Sequence, residues 1–278
     1  MSRRNFLISA ATALPVGALQ DPKPVERKGN LHQSVCRWCY QKTDLETLAR
    51  EARRLGLVGI DLIGPNDWPV VQKYGLIPTM VPGAGTIKDG HNDKANHAKM
   101  EADFRENVER AARMKVPNVI TFSGSRRGMS DEEGLENSVL LLSKVKAIAE
   151  DKGVNICMEL LNSKVNHPDY MGDRTWWGVE LCKRVNSPRV KLLYDIYHMQ
   201  IMEGDVIRTI QQNHQYFAHY HTGGVPGRHE IDETQELYYP AVVKAILATG
   251  FKGYFAHEFI PERSPMESLG QAAGICDL

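Results

Sequence analysis

The chain has 278 residues, 42% hydrophobic and 24% charged, with 34 basic side chains against 34 acidic ones. That composition excludes a disordered or fibrous chain and suits one large core. Zero net charge, without a basic tract interleaved with aromatics, argues against a nucleic-acid partner and for a small-molecule one.

The first residues read as a leader rather than as part of the fold. Ser2-Arg3-Arg4-Asn5-Phe6-Leu7 is a twin-arginine pattern, an apolar stretch runs from Phe6 to Val16, and small residues follow at Gly17 and Ala18. This resembles a bacterial Tat export signal, which implies a periplasmic protein. The stretch is too short to span a bilayer, so no stable membrane insertion is expected after signal removal. Residues 20–30 are polar and contain proline, as a linker does. The expected division is signal and linker over 1–30 and one domain over 31–278.

From Leu31 onward strand and helix signals alternate. Apolar runs near 31–36, 57–63, 76–81, 118–122, 154–160, 190–196, 217–221 and 253–259 predict eight strands. Between them lie amphipathic stretches near 44–55, 93–115, 131–151, 176–185, 204–213 and 239–249, and a shorter one near 67–74. Thr43 or Asp44 can cap the first helix. Ser130-Asp131-Glu132-Glu133 places acidic groups at a helix start, where they complement its dipole. Gly56, Gly75, Gly153 and Gly250 follow helices, where a left-handed residue is wanted. Eight βα units in one chain of this length predict a single (β/α)8 TIM barrel. A doubly wound open sheet is second, and the first strand lacks the GxGxxG turn that such sheets usually carry.

The five cysteines are Cys36, Cys39, Cys157, Cys182 and Cys276. Cys36-Arg37-Trp38-Cys39 is a lone CxxC, so a zinc ribbon is not indicated. It ends a strand instead of opening a helix, unlike a thioredoxin-type pair. Buried thiols are the favoured reading, with a Cys36–Cys39 disulfide left open for an exported protein.

Glu159, Asp195, His221 and Glu258 each close one of the last four predicted strands. A barrel keeps its chemistry at these strand ends, and adjacent strands are only about 5 Å apart. The four can therefore converge on one ion. Three carboxylates and one imidazole favour Mn²⁺ or Mg²⁺, with Zn²⁺ and Co²⁺ allowed. His198, three residues past Asp195, is a candidate for a substrate oxygen or a proton relay. Arg228, with His229 beside it in the loop after strand seven, can hold a carboxylate or phosphate in bidentate fashion. His219 and His257 lie inside strand runs and are expected to face the helices in structural roles.

At these residues the chain resembles the hydroxypyruvate isomerase family of the xylose isomerase-like barrels. The resemblance runs from about Leu31 to Ile260. It is carried by Met158-Glu159-Leu160-Leu161-Asn162, by the Asp195-to-His198 step, by Pro226-Gly227-Arg228-His229-Glu230 and by Glu258-Phe259. It implies a metal-dependent aldose–ketose type isomerase, with Glu159 and Glu258 each both ligand and acid/base, and with hydroxypyruvate converted to tartronate semialdehyde through an enediolate. Arg228 is then the candidate for the substrate's carboxylate. Hydroxypyruvate isomerases usually have glutamine where this chain has His221; ketohexose epimerases have histidine. A sugar 3-epimerase or an inosose-type dehydratase is the close alternative, a nuclease of the same barrel class or a non-catalytic sugar-binding barrel a more distant one. Monomer against homo-oligomer is left open.

Overall fold

The structure is a computed structural model and describes residues 24–278; the twin-arginine segment lies outside the described residues. Nine parallel strand segments form one sheet: β1 (His32–Cys36), β2 (Gly59–Asp61), β3 (Ile77–Pro78), β4 (Val81–Ala84), β5 (Asn118–Thr121), β6 (Asn155–Glu159), β7 (Val190–Asp195), β8 (Phe217–Thr222) and β9 (Tyr254–His257). Their order is β3-β2-β1-β9-β8-β7-β6-β5-β4. The two ends of that order, β3 and β4, are consecutive pieces of one run, residues 77–84. Ile77 pairs with Gly59 of β2, and Val81 pairs with Val119 of β5. The expected third strand is thus one interrupted strand, and the sheet curls into a nearly closed (β/α)8 barrel.

The helices are α1 (Leu45–Arg54), α2 (Trp68–Lys73), α3 (His97–Arg113), α4 (Asp131–Lys152), α5 (Thr175–Val185), α6 (Ile196–Met202), α7 (Val206–Asn213), α8 (Tyr239–Ala248) and α9 (Pro265–Ile275). Caps set their ends. Asp44 accepts from the Thr47 N–H at 2.8 Å, and Ser130 caps α4 by accepting from the Glu133 N–H. Gly153 closes α4 at φ 69°, a left-handed conformation that a side chain resists. Two helices were not expected from the sequence. α6 starts directly on Asp195 with no intervening loop, and α9 packs the chain's end against the sheet. Among the described residues no helix is long and apolar enough to cross a membrane.

Residues 25–30 are tied to the base of the barrel. The Val25 N–H donates to the Arg54 carbonyl at 2.7 Å, Arg27 Nε to the Leu55 carbonyl at 3.0 Å, and the Lys28 N–H to Asp277 Oδ1 at 2.8 Å.

Two apolar layers result. The larger lies between sheet and helices and includes Phe104, Trp177, Tyr239 and Phe255. The smaller is a plug of Met80, Ile120, Cys157 and Leu193 inside the barrel. Strand side chains alternate between these layers. Glu159 therefore lies on the same side as Cys157, and Asp195 on the same side as Leu193. That alternation carries both carboxylates to the mouth above the plug.

Candidate active site

Four strands deliver four side chains to one point at the C-terminal mouth. Glu159 ends β6, Asp195 ends β7, His221 lies near the end of β8 and Glu258 follows β9. All four are buried, and their ligand atoms lie within 4.8 Å of one another. His221 is central. Its Nδ1 is 2.6 Å from Glu258 Oε2, 3.2 Å from Glu159 Oε1 and 3.9 Å from Asp195 Oδ2. Three carboxylates around one imidazole nitrogen form a hard donor set of the right size for a divalent cation.

Asp195 is fixed by its helix. As N-cap of α6 it accepts from the His198 N–H at 2.9 Å through Oδ1, which leaves Oδ2 facing the cluster. The same turn places His198 beside the site. Its Nδ1 meets Asn162, with the backbone N at 3.2 Å and the side-chain Nδ2 at 2.6 Å, and its Nε2 lies 2.7 Å from Arg228 Nη1.

Arg228 comes from the loop after β8, where Gly227 and Arg228 both adopt positive φ, 91° and 62°. Its guanidinium enters between the rings of Trp38 and Tyr197, at 5.6 and 4.8 Å. Nη2 donates to Asp195 Oδ2 at 2.7 Å and to Glu258 Oε2, while Nε donates to the Glu258 carbonyl at 3.0 Å. The structure thus brings Arg228 and His198 to the four strand-end residues. His229 stands apart on the rim. Its ring contacts the Ile260 carbonyl at 3.0 Å and Glu262 at 3.3 Å, and the side chain is 38% exposed.

Burial and charge set the protonation of the cluster. Burial pushes Asp195 up to about 7, against the pull of Arg228. Burial also raises Glu159, against its hydrogen bond to His221. Glu258 is equally buried, yet Arg228, His221 and the Trp38 N–H hold it well below the usual carboxylate range. That Trp38 Nε1 donates to Glu258 Oε1 at 2.5 Å. Burial and the Arg228 charge hold His198 well below the usual histidine value, hence neutral at pH 7.

His219 was expected to face the helices; it points into the barrel. It precedes His221 by two residues, and the period of a strand puts both on the inner face. There its Nε2 lies 2.6 Å from Asp61 Oδ2. His257 precedes Glu258 by one residue and does face outward, with Nε2 2.9 Å from Gln33 Oε1. Cys36 and Cys39 are both free thiols, with Cys36 Sγ 3.7 Å from His221 Nε2. Asp61 was missed by sequence reasoning. Gly59-Ile60-Asp61 carries the same signal as the other strand ends, an apolar residue closing on a carboxylate, on a strand of only three residues.

A model of the xylose isomerase-like TIM barrel family matches residues 34–275. The chain belongs to that family. Within the xylose isomerase-like barrels it is 30% identical to the 2-oxo-tetronate isomerase of Cupriavidus necator over 179 residues, 61% of this chain and 66% of that one. It is 26% identical to a human protein described as a hydroxypyruvate isomerase over 242 residues, 84% of this chain and 80% of that one. Among solved structures it resembles an AP endonuclease, family 2, from Brucella melitensis, with a TM-score of 0.79 at 22% identity, covering 88% of this chain and 99% of that one.

Proposed function

We propose that this chain is an isomerase that moves a proton between adjacent carbons of small hydroxy-carbonyl acids. Hydroxypyruvate, interconverted with tartronate semialdehyde, is the substrate proposed first. The observation that carries this reading is the convergence of Glu159, Asp195, His221 and Glu258 around one imidazole nitrogen, with Arg228 alongside. The isomerase names of the relatives support the reaction class.

Glu159, Asp195, His221 and Glu258 would hold one divalent cation, Mn²⁺ or Mg²⁺ by donor hardness, with Zn²⁺ or Co²⁺ as softer substitutes. A divalent cation there supplies positive charge beside the oxygens that become negative when a carbon-bound proton leaves. The carboxylates of Glu159 and Glu258 take the proton and return it to the neighbouring carbon. Arg228 and the neutral His198 hold the carboxylate and a hydroxyl of the substrate. The rings of Trp38 and Tyr197, which flank Arg228, shield this region from water. His229, with its contacts on the rim, would meet only the outer end of a bound substrate.

One observation favours a second reading. Histidine at position 221 matches the ketohexose epimerases rather than hydroxypyruvate isomerases, so a sugar 3-epimerase using the same carboxylate pair is the alternative. The twin arginines support export by the Tat route to a periplasm. A screen of the Mn²⁺- and Mg²⁺-supplemented protein over hydroxypyruvate, 2-oxo-tetronate, ketohexoses and inososes separates the readings. Conversion of the 2-oxo acids with solvent deuterium entering beside the carbonyl is expected. Turnover of ketohexoses alone would favour the epimerase.

A further inference from the structure

The imidazole of His221 is held at both ends. Nδ1 faces Glu159, Asp195 and Glu258; Nε2 faces away from them, 3.2 Å from Oδ2 of Asp61. Asp61 ends β2 and is fully buried. Its other oxygen, Oδ1, accepts from Ser34 Oγ at 2.8 Å and from Thr79 Oγ1. Those hydroxyls fix which way the carboxylate faces. His219 Nε2 lies closer still, 2.6 Å from the same Oδ2, so that oxygen faces two imidazoles.

Asp61, His219 and His221 could be taken for a second metal site, since their ligand atoms lie close together. The mouth is the stronger site: it offers four donors against three, and one oxygen of Asp61 is already taken by the Ser34 and Thr79 hydroxyls.

A neutral imidazole carries one N–H and one lone pair, and only the lone-pair nitrogen can ligate a cation. A carboxylate can only accept. We infer that Asp61 is the positioning residue that holds the proton of His221 on Nε2, so that Nδ1 presents its lone pair to the Glu159–Asp195–Glu258 cluster. Asp61 touches neither cation nor substrate; it acts through His221. This rests on the reading of the four mouth residues as ligands.

The asymmetry of the Asp61 hydrogen bonds gives a sharp test. In Asp61→Asn the Ser34 and Thr79 hydroxyls keep the amide oxygen, so the NH₂ replaces Oδ2 and donates to His221 Nε2. The proton on His221 must then move to Nδ1. ¹⁵N NMR of histidine-labelled full-length protein, freed of metal with a chelator and held at a pH high enough to make the His221 ring neutral, reads the tautomer directly. Wild type should show His221 protonated on Nε2, and Asp61→Asn on Nδ1. Mn²⁺ affinity should weaken by about 10–100-fold in the variant. Adding Ser34→Ala and Thr79→Val to Asp61→Asn frees the amide to turn, and should restore the Nε2 proton and most of the affinity. The wild-type spectrum decides even if the variant does not fold: a proton on Nδ1 there overturns the inference, as does an unchanged tautomer and affinity in Asp61→Asn. Wild-type protein with the Nε2 proton but no Mn²⁺ binding would overturn the ligand reading instead, and with it the purpose assigned to Asp61.

Discussion

Histidine is buried in two environments in this molecule, and they treat it in opposite ways. At the mouth, burial opposes a charge on His221, yet Cys36, Glu258 and Asp61 outweigh it and hold its pKa well above the usual value. In the helical shell, His91 and His257 meet only neutral partners. His91 Nδ1 is 2.8 Å from Ser138 Oγ and its Nε2 has no partner, while His257 bonds to Gln33. Burial pushes both of these down to about 3. Burial is the larger cause in each, with a smaller push from His97 on His91 and from Arg27 on His257; only opposing charge sustains a buried imidazolium. The shell is therefore built for stability. The mouth gathers three carboxylates, an arginine and an imidazole in a buried space, an arrangement that costs stability and is expected where chemistry is done.

The largest effect should come from the mouth. Glu258→Gln and Glu159→Gln each keep an oxygen for a cation but lose the proton acceptor, so turnover should fall by about 10²–10⁴-fold. Metal binding should weaken only in part, since three ligands remain. Full turnover in both metal-loaded variants would remove the acid/base roles.

The shell should respond to acid instead. His91 titrates at about 3 in the fold and at about 6.5 in the unfolded chain. Its stabilising contribution is complete above the unfolded value and is lost as the pH falls toward the folded one. Comparison with His91→Gln isolates this from the carboxylates. The wild-type advantage in urea midpoint should shrink between pH 6.5 and 4.5, by up to about 1.4 kcal/mol per pH unit. A constant difference across that range would mean that His91 is not held neutral.

Smaller effects separate binding from folding. Arg228→Ala should raise KM for 2-oxo acids more than for uncharged sugars, through loss of a charged contact of about 1.5–3 kcal/mol. An equal rise for both would assign Arg228 to the carboxylates of the protein alone. Ser130→Ala, which removes the cap of α4, should cost about 1 kcal/mol in thermal or urea unfolding and leave kcat unchanged. A change in kcat would contradict the division between mouth and shell.

What the sequence disclosed follows from how each signal is written. Long apolar runs closed by a charged residue, as at Glu159 and Asp195, state both strand and site. The interruption between Pro78 and Val81 is a matter of pairing to β2 and β5, which no single run records. Helix α6 was hidden because Asp195 reads as a strand end, although it is also the N-cap. Asp61 was hidden by the brevity of β2. His219 was legible and misread, since its spacing from His221 already placed both on the inner face.

The central claim is that the mouth is a single cation centre. An anomalous difference map at the manganese edge, from crystals grown with Mn²⁺, tests it most directly. The account predicts one strong peak per chain within bonding distance of Glu159, Asp195, His221 Nδ1 and Glu258. No peak there, or one ligated through His221 Nε2 beside Asp61, would contradict it.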